Sequence, residues 1–187
     1  MLKRIIFLCP ILLSSNTMAA EKTKLMTVAG GCFWCMQPIF ASEAGVKKVT
    51  AGYAGGDKVN PTYRDMGDHL ETAQVEYDPA KITYEELLKI YWYNIDAFDA
   101  DGQFYDRGHH YHTAIFYHDD EQKKVAERTK AEIEKTKGKK VATEILPYKN
   151  FYKAEDYHQD YYKKNPEAFK AYHDASGRDE KLKEIWK

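Results

Sequence analysis

Cysteine is scarce in this chain. Of 187 residues only Cys9, Cys32 and Cys35 are cysteines, and the whole stretch after Cys35 has none. A structural zinc site wants four ligands, two more than the Cys32–Cys35 pair supplies. Net charge is also lacking: 28 basic side chains stand against 29 acidic ones. Such a balance argues against nucleic acid or an anionic membrane as partner. No apolar run is long enough to cross a bilayer, since Ile5 to Leu13 is far too short. There is no internal repeat, low-complexity tract or obvious linker. A single domain with a real core is the simplest organisation for this length.

What is present begins with an export signal. Lys3 and Arg4 form a short basic region, Ile5 to Leu13 follows as the apolar segment, and a polar stretch ends in Thr17-Met18-Ala19-Ala20. This is the layout of a secretory signal peptide, with cleavage after Ala19 first and Ala20 second. Leu8 before Cys9 is not small, and the apolar run continues past Cys9, which argues against a lipoprotein signal. The expected division is residues 1–20 as signal peptide and 21–187 as one domain, exported to the periplasm or secreted. Only Cys32 and Cys35 then remain, in an oxidising compartment where such a pair rests as a disulfide unless something reduces it.

The pair sits in Gly30-Gly31-Cys32-Phe33-Trp34-Cys35. Two glycines follow the short apolar run Leu25 to Ala29, and Cys32 opens a predicted helix over 32–43. A thiol at the first helical turn faces unpaired N–H groups and the positive end of the dipole, which favours the thiolate. Cys35, three residues on, shares its face. Spacing alone leaves three possibilities open: a nucleophile with a partner, a structural disulfide, or two buried thiols.

Along the chain, Pro38 predicts a kink or an early irregular turn in the first helix, and Gly45 ends it. Val46 to Tyr53 reads as a strand. Residues 55–68 form a long loop rich in Gly, Asp, Asn and Pro, of the kind that carries active sites. His69 to Tyr77 alternates, so Glu71 shares a face with Ala73, Val75 and Tyr77. A carboxylate at the edge of an apolar face is desolvated and shifted toward proton donation; its alternative is a strand-end glutamate with its head in water. Thr83 to Glu86 is a capping box, followed by a helix with Leu87, Leu88, Tyr91, Trp92 and Ile95 as its buried stripe. After a loop over 96–110, Tyr111 to His118 reads as a strand. Asp119 or Asp120 caps a charged helix to about Gly138, and Val141 to Leu146 is the short final strand. Residues 151–187 are expected to form short helices, one starting at Asn165-Pro166. Strands and helices mixed around one sheet indicate an α/β or α+β domain.

Six motifs, in unbroken order over residues 25–165, resemble the peptide methionine sulfoxide reductase A family. They are Gly31-Cys32-Phe33-Trp34; Ala51-Gly52-Tyr53-Ala54-Gly55-Gly56; Asn60-Pro61-Thr62-Tyr63; His69-Leu70-Glu71; Asp106-Arg107-Gly108 with Tyr111; and Phe151 to Gln159. The resemblance implies a two-layer α/β sandwich around a mixed sheet, with a ferredoxin-like core. It implies Cys32 as nucleophile toward the sulfoxide sulfur, and Phe33 and Trp34 as the apolar pocket for the S-methyl group. Glu71, Tyr63 and Tyr111 would hydrogen-bond the sulfoxide oxygen and supply its proton, and Asp106 would help orient the site. Reduction leaves methionine and a sulfenic acid on Cys32.

This sequence departs from the common family pattern in three places. It lacks the C-terminal resolving cysteine, so Cys35, where many relatives have glycine, is the implied resolver of the sulfenic acid. The segment between Tyr63 and His69 is short. His109-His110 precede Tyr111 where relatives carry small polar residues; they raise a metal hypothesis, but adjacent strand residues alternate faces and no metal site is expected. No cofactor is implied beyond an external thioredoxin-like reductant. The expected substrates are the S epimer of methionine sulfoxide in oxidised proteins and peptides, and the free amino acid, acted on by a monomer without stable membrane association. Two rival readings remain: a thioredoxin-type disulfide oxidoreductase, which lacks its usual Gly-Pro-like interior here, and a non-catalytic tyrosine-rich binding domain. Only the sulfoxide reductase reading predicts loss of sulfoxide oxygen dependent on Cys32 and Glu71.

Overall fold

A computed structural model describes residues 23–187; the expected signal peptide, residues 1–20, lies outside the described residues. In chain order the elements are β1 (Lys24–Gly30), α1 (Phe33–Ala41), β2 (Val46–Ala54), β3 (Leu70–Tyr77), α2 (Tyr84–Tyr93), β4 (Gly102–Gln103), β5 (Asp106–Arg107), a 3₁₀ turn (His109–Tyr111), β6 (Thr113–Tyr117), α3 (Asp120–Lys137), β7 (Glu144–Pro147), β8 (Phe151–Lys153), α4 (Tyr161–Lys164), α5 (Pro166–Ala175) and α6 (Arg178–Ile185). Six strands form one mixed sheet in the order β7-β6-β1-β3-β2-β8. All its pairings are antiparallel except β6 with β7. β3 therefore lies between β1 and β2, which α1 joins, and β1 lies between β3 and β6, which α2 joins.

Sequence pattern explains most of these elements. Met26 and Val28 alternate inward along β1, and Ala73, Val75 and Tyr77 do so along β3; all are buried against Met36 and Phe40 of α1 and Leu87, Leu88 and Tyr91 of α2. Each such large side chain contributes roughly 1.5–3 kcal/mol by leaving water. The capping box forms as expected: Glu86 N–H donates to Thr83 Oγ1 at 3.2 Å, and Thr83 N–H donates back to Glu86 Oε2 at 2.8 Å. Asp119 caps α3, and Gly138 closes it in the left-handed conformation. Asn165 and Pro166 start α5 where expected, though the Asn165 side chain makes no capping bond.

Four expectations are corrected. α1 contains Pro38 and ends at Ala41 rather than at residue 43. Burial of Met36 and Phe40 on either side holds it to the sheet despite the missing N–H. Tyr111 is not on a strand: Gly108, at φ 107°, turns the chain into the 3₁₀ segment, and β6 starts only at Thr113. β7 starts at Glu144, because Ala142 N–H is committed to Ala97 O instead. Phe151–Lys153 is a strand rather than a helix. It pairs with β2 at Gly52, where a Cβ would lie 2.4 Å from Phe151 Cζ, so only glycine admits that ring.

Candidate active site

The turn from β1 into α1 is built from two glycines under different constraints. At Gly30 a Cβ would fall 2.5 Å from Met36 Sδ. Gly31 has φ 80°, and a Cβ there would lie 2.6 Å from Gln103 Cβ. The turn makes Cys32 the N-cap of α1, buried at 6 % exposure, with Cys35 one turn on at 3 %. Both thiols are free, and their side chains lie within hydrogen-bonding reach of one another.

Glu71 is fully inside, at 1 % exposure, so its head is not in water. Its Oε2 accepts the Phe33 N–H at 3.0 Å. That N–H is one of the unpaired donors of the first turn of α1, and it serves the carboxyl rather than the thiol. The expected lowering of the Cys32 thiol by the helix start is therefore not realised. Burial pushes Cys32 well up, and the neighbouring Cys35 thiol adds to this. Cys35 moves the other way, drawn down by its hydrogen bond with Cys32 and by the Arg178 charge. Burial likewise pushes Glu71 well above the usual carboxylate range, and the charge of Cys32 raises it further. A dry site holding two thiols and two carboxyls accommodates one negative charge far more easily than two.

The remaining predicted residues converge here. Tyr63 sits on the 55–68 loop with its ring 6.4 Å from Phe33 and 4.5 Å from His158. Tyr111, from the 3₁₀ turn, pairs with Tyr63, and burial raises both phenols; the Glu71 and Cys32 charges add to this for each. Asp106, half-buried on β5, is raised by burial and restrained by Tyr172 and Arg178. Phe33 is core as well as lining, tilted against Tyr53 at 6.0 Å and His158 at 4.8 Å. Trp34 stacks on Tyr161 at 3.8 Å and 8°, and its Nε1–H donates to His158 Nδ1 at 3.0 Å.

The motif from Phe151 to Gln159 works as scaffold. Glu155 accepts the Tyr53 hydroxyl at 2.7 Å and the Tyr63 N–H at 3.0 Å, tying the loop of Tyr63 to the sheet. Gln159 bonds both Ala51 N–H and Ala51 O. The histidines near the site are similarly engaged. His69 Nδ1 accepts from Gly56 N and its Nε2–H donates to Lys58 O, while His109 and His110 donate to the carbonyls of Asp68 and His69. These bonds pin the long loop and the 3₁₀ turn to the start of β3. Among the described residues no group of three or more His, Cys, Asp or Glu is placed to hold a metal ion.

Two residues escaped sequence reasoning. Tyr172, on α5, donates its hydroxyl hydrogen bond to Asp106 Oδ2 and lies against Cys32. Arg178, at the start of α6, is 3 % exposed; it donates to Asn94 O at 2.8 Å and lies over the Phe104 ring. One signal did exist for the second: Arg178 is the single arginine in a tail whose other cations are lysines.

A family model described as peptide methionine sulfoxide reductase matches residues 24–187. The peptide methionine sulfoxide reductase MsrA of Bacillus licheniformis is 47 % identical over 173 residues, covering 89 % of this chain and 96 % of that protein. The crystal structure of Mxr1 from Saccharomyces cerevisiae in reduced form superposes with a TM-score of 0.73 at 34 % identity, over 80 % of this chain and 89 % of that one. Mxr1 in complex with Trx2 superposes at 0.51 with 28 % identity, over 79 % and 91 %. Two buried free thiols beside a buried carboxyl raised toward its neutral form make the site of a thiol oxidoreductase. The chain belongs to the methionine sulfoxide reductase A family, and its activity is that of a peptide-methionine (S)-S-oxide reductase.

Proposed function

We propose that Cys32 and Cys35 carry the reaction in two half-reactions within one catalytic domain, residues 21–187. In the first, the sulfur of Cys32 attacks the sulfoxide sulfur while Glu71 gives its proton to the oxygen, with Tyr63 and Tyr111 as further hydrogen-bond donors. Phe33 and Trp34 receive the S-methyl group. The oxygen ends on Cys32 as sulfenic acid, and methionine leaves. In the second, the Cys35 sulfur attacks that sulfur, the S–O bond breaks, the Cys35 thiol proton goes to the departing hydroxyl so that water leaves, and a Cys32–Cys35 disulfide remains. A thioredoxin-like dithiol then returns both thiols; the support for such a donor is the Trx2 complex of the yeast relative.

The observation that carries this is Glu71. It is buried, pushed by that burial toward its proton-bearing form, and fixed by Phe33 N–H at the helix start that bears Cys32. The path through Cys35 is supported by two free thiols within reach at the N-cap and first turn of α1. Oxidised peptides and proteins, and free methionine-S-sulfoxide, are the substrates, and the enzyme acts as a monomer. We read β1-α1-β2-β3-α2-β6 as a ferredoxin-like core in a two-layer sandwich, supported by its interleaved strand order. Export to the periplasm rests on the signal-peptide pattern of residues 1–20, and N-terminal sequencing of exported protein should begin at Ala20 or Glu21.

A single turnover tests the chemistry. Fully reduced protein is mixed with excess methionine-S-sulfoxide without reductant, and methionine and free thiols are counted for the parent and for Cys35→Ser. The expected result is one methionine with loss of both thiols in the parent, and a trapped sulfenic acid in the variant. No methionine from the parent rejects the scheme. Methionine formed while Cys35 stays free rejects the Cys35 step alone.

A further inference from the structure

The Cys32 sulfur must shed its proton to attack, and Glu71 is the wrong acceptor because it has to deliver one. The groups around the two thiols come from seven elements: Cys35 itself on α1, Glu71 on β3, Tyr63 on its loop, Tyr111 on the 3₁₀ turn, Asp106 on β5, Tyr172 on α5, and Arg178, beside Cys35, on α6. Of these, one hydroxyl bonds a carboxylate and also lies next to the thiol. Tyr172 Oη is hydrogen-bonded to Asp106 Oδ2 and lies within hydrogen-bonding reach of Cys32 Sγ, and its ring meets Trp34 edge-on at 6.1 Å and 85°.

We propose that Tyr172 is a further catalytic residue, whose hydroxyl passes the Cys32 thiol proton to the Asp106 carboxylate. The transfer balances without an outside base. It starts from thiol, phenol and carboxylate. The thiol proton moves to Oη as the Oη proton moves to Oδ2, leaving thiolate, phenol and carboxylic acid. No electrons are transferred and no phenolate forms. A phenolate is in any case disfavoured, since burial and the neighbouring Cys32 charge push Tyr172 far up. After the shift the same hydroxyl donates to the thiolate, a charge-assisted bond that holds it in a dry site. Asp106 suits the role of acceptor because its own burial raises it toward the neutral form. The tail of this chain, which has no cysteine, thus supplies a proton path instead of a resolving thiol.

The proposal rests on Cys32 as the nucleophile but not on reductase turnover, so thiol alkylation tests it separately. The reduced protein is used in a Cys35→Ser background, which removes Cys35 as a competing proton acceptor, and iodoacetamide labelling of Cys32 is followed against pH. The thiol–carboxylate exchange changes no net charge, so the rate should show a pH-independent shoulder through the neutral range. Tyr172→Phe, which keeps the ring against Trp34, should abolish the shoulder and lower the neutral rate about tenfold, with the rate then climbing about tenfold per pH unit. Asp106→Asn should also abolish the shoulder, and the double variant should show no further loss, as expected for one coupled unit. In single turnover, Tyr172→Phe should slow methionine formation by a similar factor while half-saturation by substrate is unchanged. A shoulder retained in Tyr172→Phe, its absence in the background protein, or additive losses in the double variant would overturn the relay. If labelling behaves as expected but the parent forms no methionine, the relay stands and the reductase scheme fails.

Discussion

Replacing Glu71 by glutamine isolates the proton from every other property of that side chain. Phe33 N–H donates to Oε2 at 3.0 Å, and a glutamine carbonyl accepts the same bond, so the start of α1 keeps its geometry. The side chain is buried and nearly isosteric, so no cavity opens. What disappears is the acidic proton. The neighbouring donors are poor substitutes, because burial pushes the Tyr63 and Tyr111 phenols up, away from acidity. General acid catalysis contributes 10²–10⁴-fold, and with no replacement acid the expected loss is about 10³-fold, or ~4 kcal/mol in the barrier. The assay is rapid-quench formation of methionine in a single turnover. The parent rate should fall as pH rises through the raised value of Glu71, since the protonated acid is required, and Glu71→Gln should lack that limb. Stability gives an independent sign. A carboxyl raised on folding contributes stability that is fully present below its ordinary value and lost as pH rises through its folded value. Glu71→Gln should therefore gain in thermal midpoint relative to the parent on moving from acid to alkaline pH. A variant that forms methionine within about threefold of the parent rate would refute Glu71 as the acid.

Other consequences are accessible to the same assays. Arg178→Met removes the buried cation that lowers Cys35 while keeping bulk over Phe104. Disulfide formation after the first turnover should slow about tenfold, with a smaller effect on the methionine burst; an unchanged rate of thiol loss would argue against a role for Arg178 in the Cys35 step. Tyr91 is fully buried, and its hydroxyl donates to Ala29 O at 2.8 Å, just before the active-site turn. Tyr91→Phe should cost about 1–2 kcal/mol in denaturant unfolding by removing that buried hydrogen bond.

The site is less legible in sequence than its motifs suggest, and the reasons are physical. Alternation along β3 correctly grouped Glu71 with Ala73, Val75 and Tyr77, but alternation says only which face a side chain takes. Whether that face is wet at its end depends on what covers it, and here Phe33 and α1 do. The acidity of Cys32 was misjudged for a related reason: the helix start supplies donors, but Glu71, from a strand far along the chain, takes the Phe33 N–H.

By itself the sequence determined what short-range geometry encodes. Thr83 and Glu86 three residues apart make a cap, Asp119 and Gly138 bound a helix, and Cys32 and Cys35 share one face of a first turn. Ordered motifs around Cys32 also identified the family. Tertiary structure alone decided that Tyr172 and the Arg178 charge come beside the thiols, that Phe151 to Lys153 adds a strand beside Gly52, and that Glu71 is dry. Local periodicity fixes the direction of a side chain within its own element. Contacts between residues far apart in the chain, and the burial that shifts their charges, arise only when those elements pack against one another.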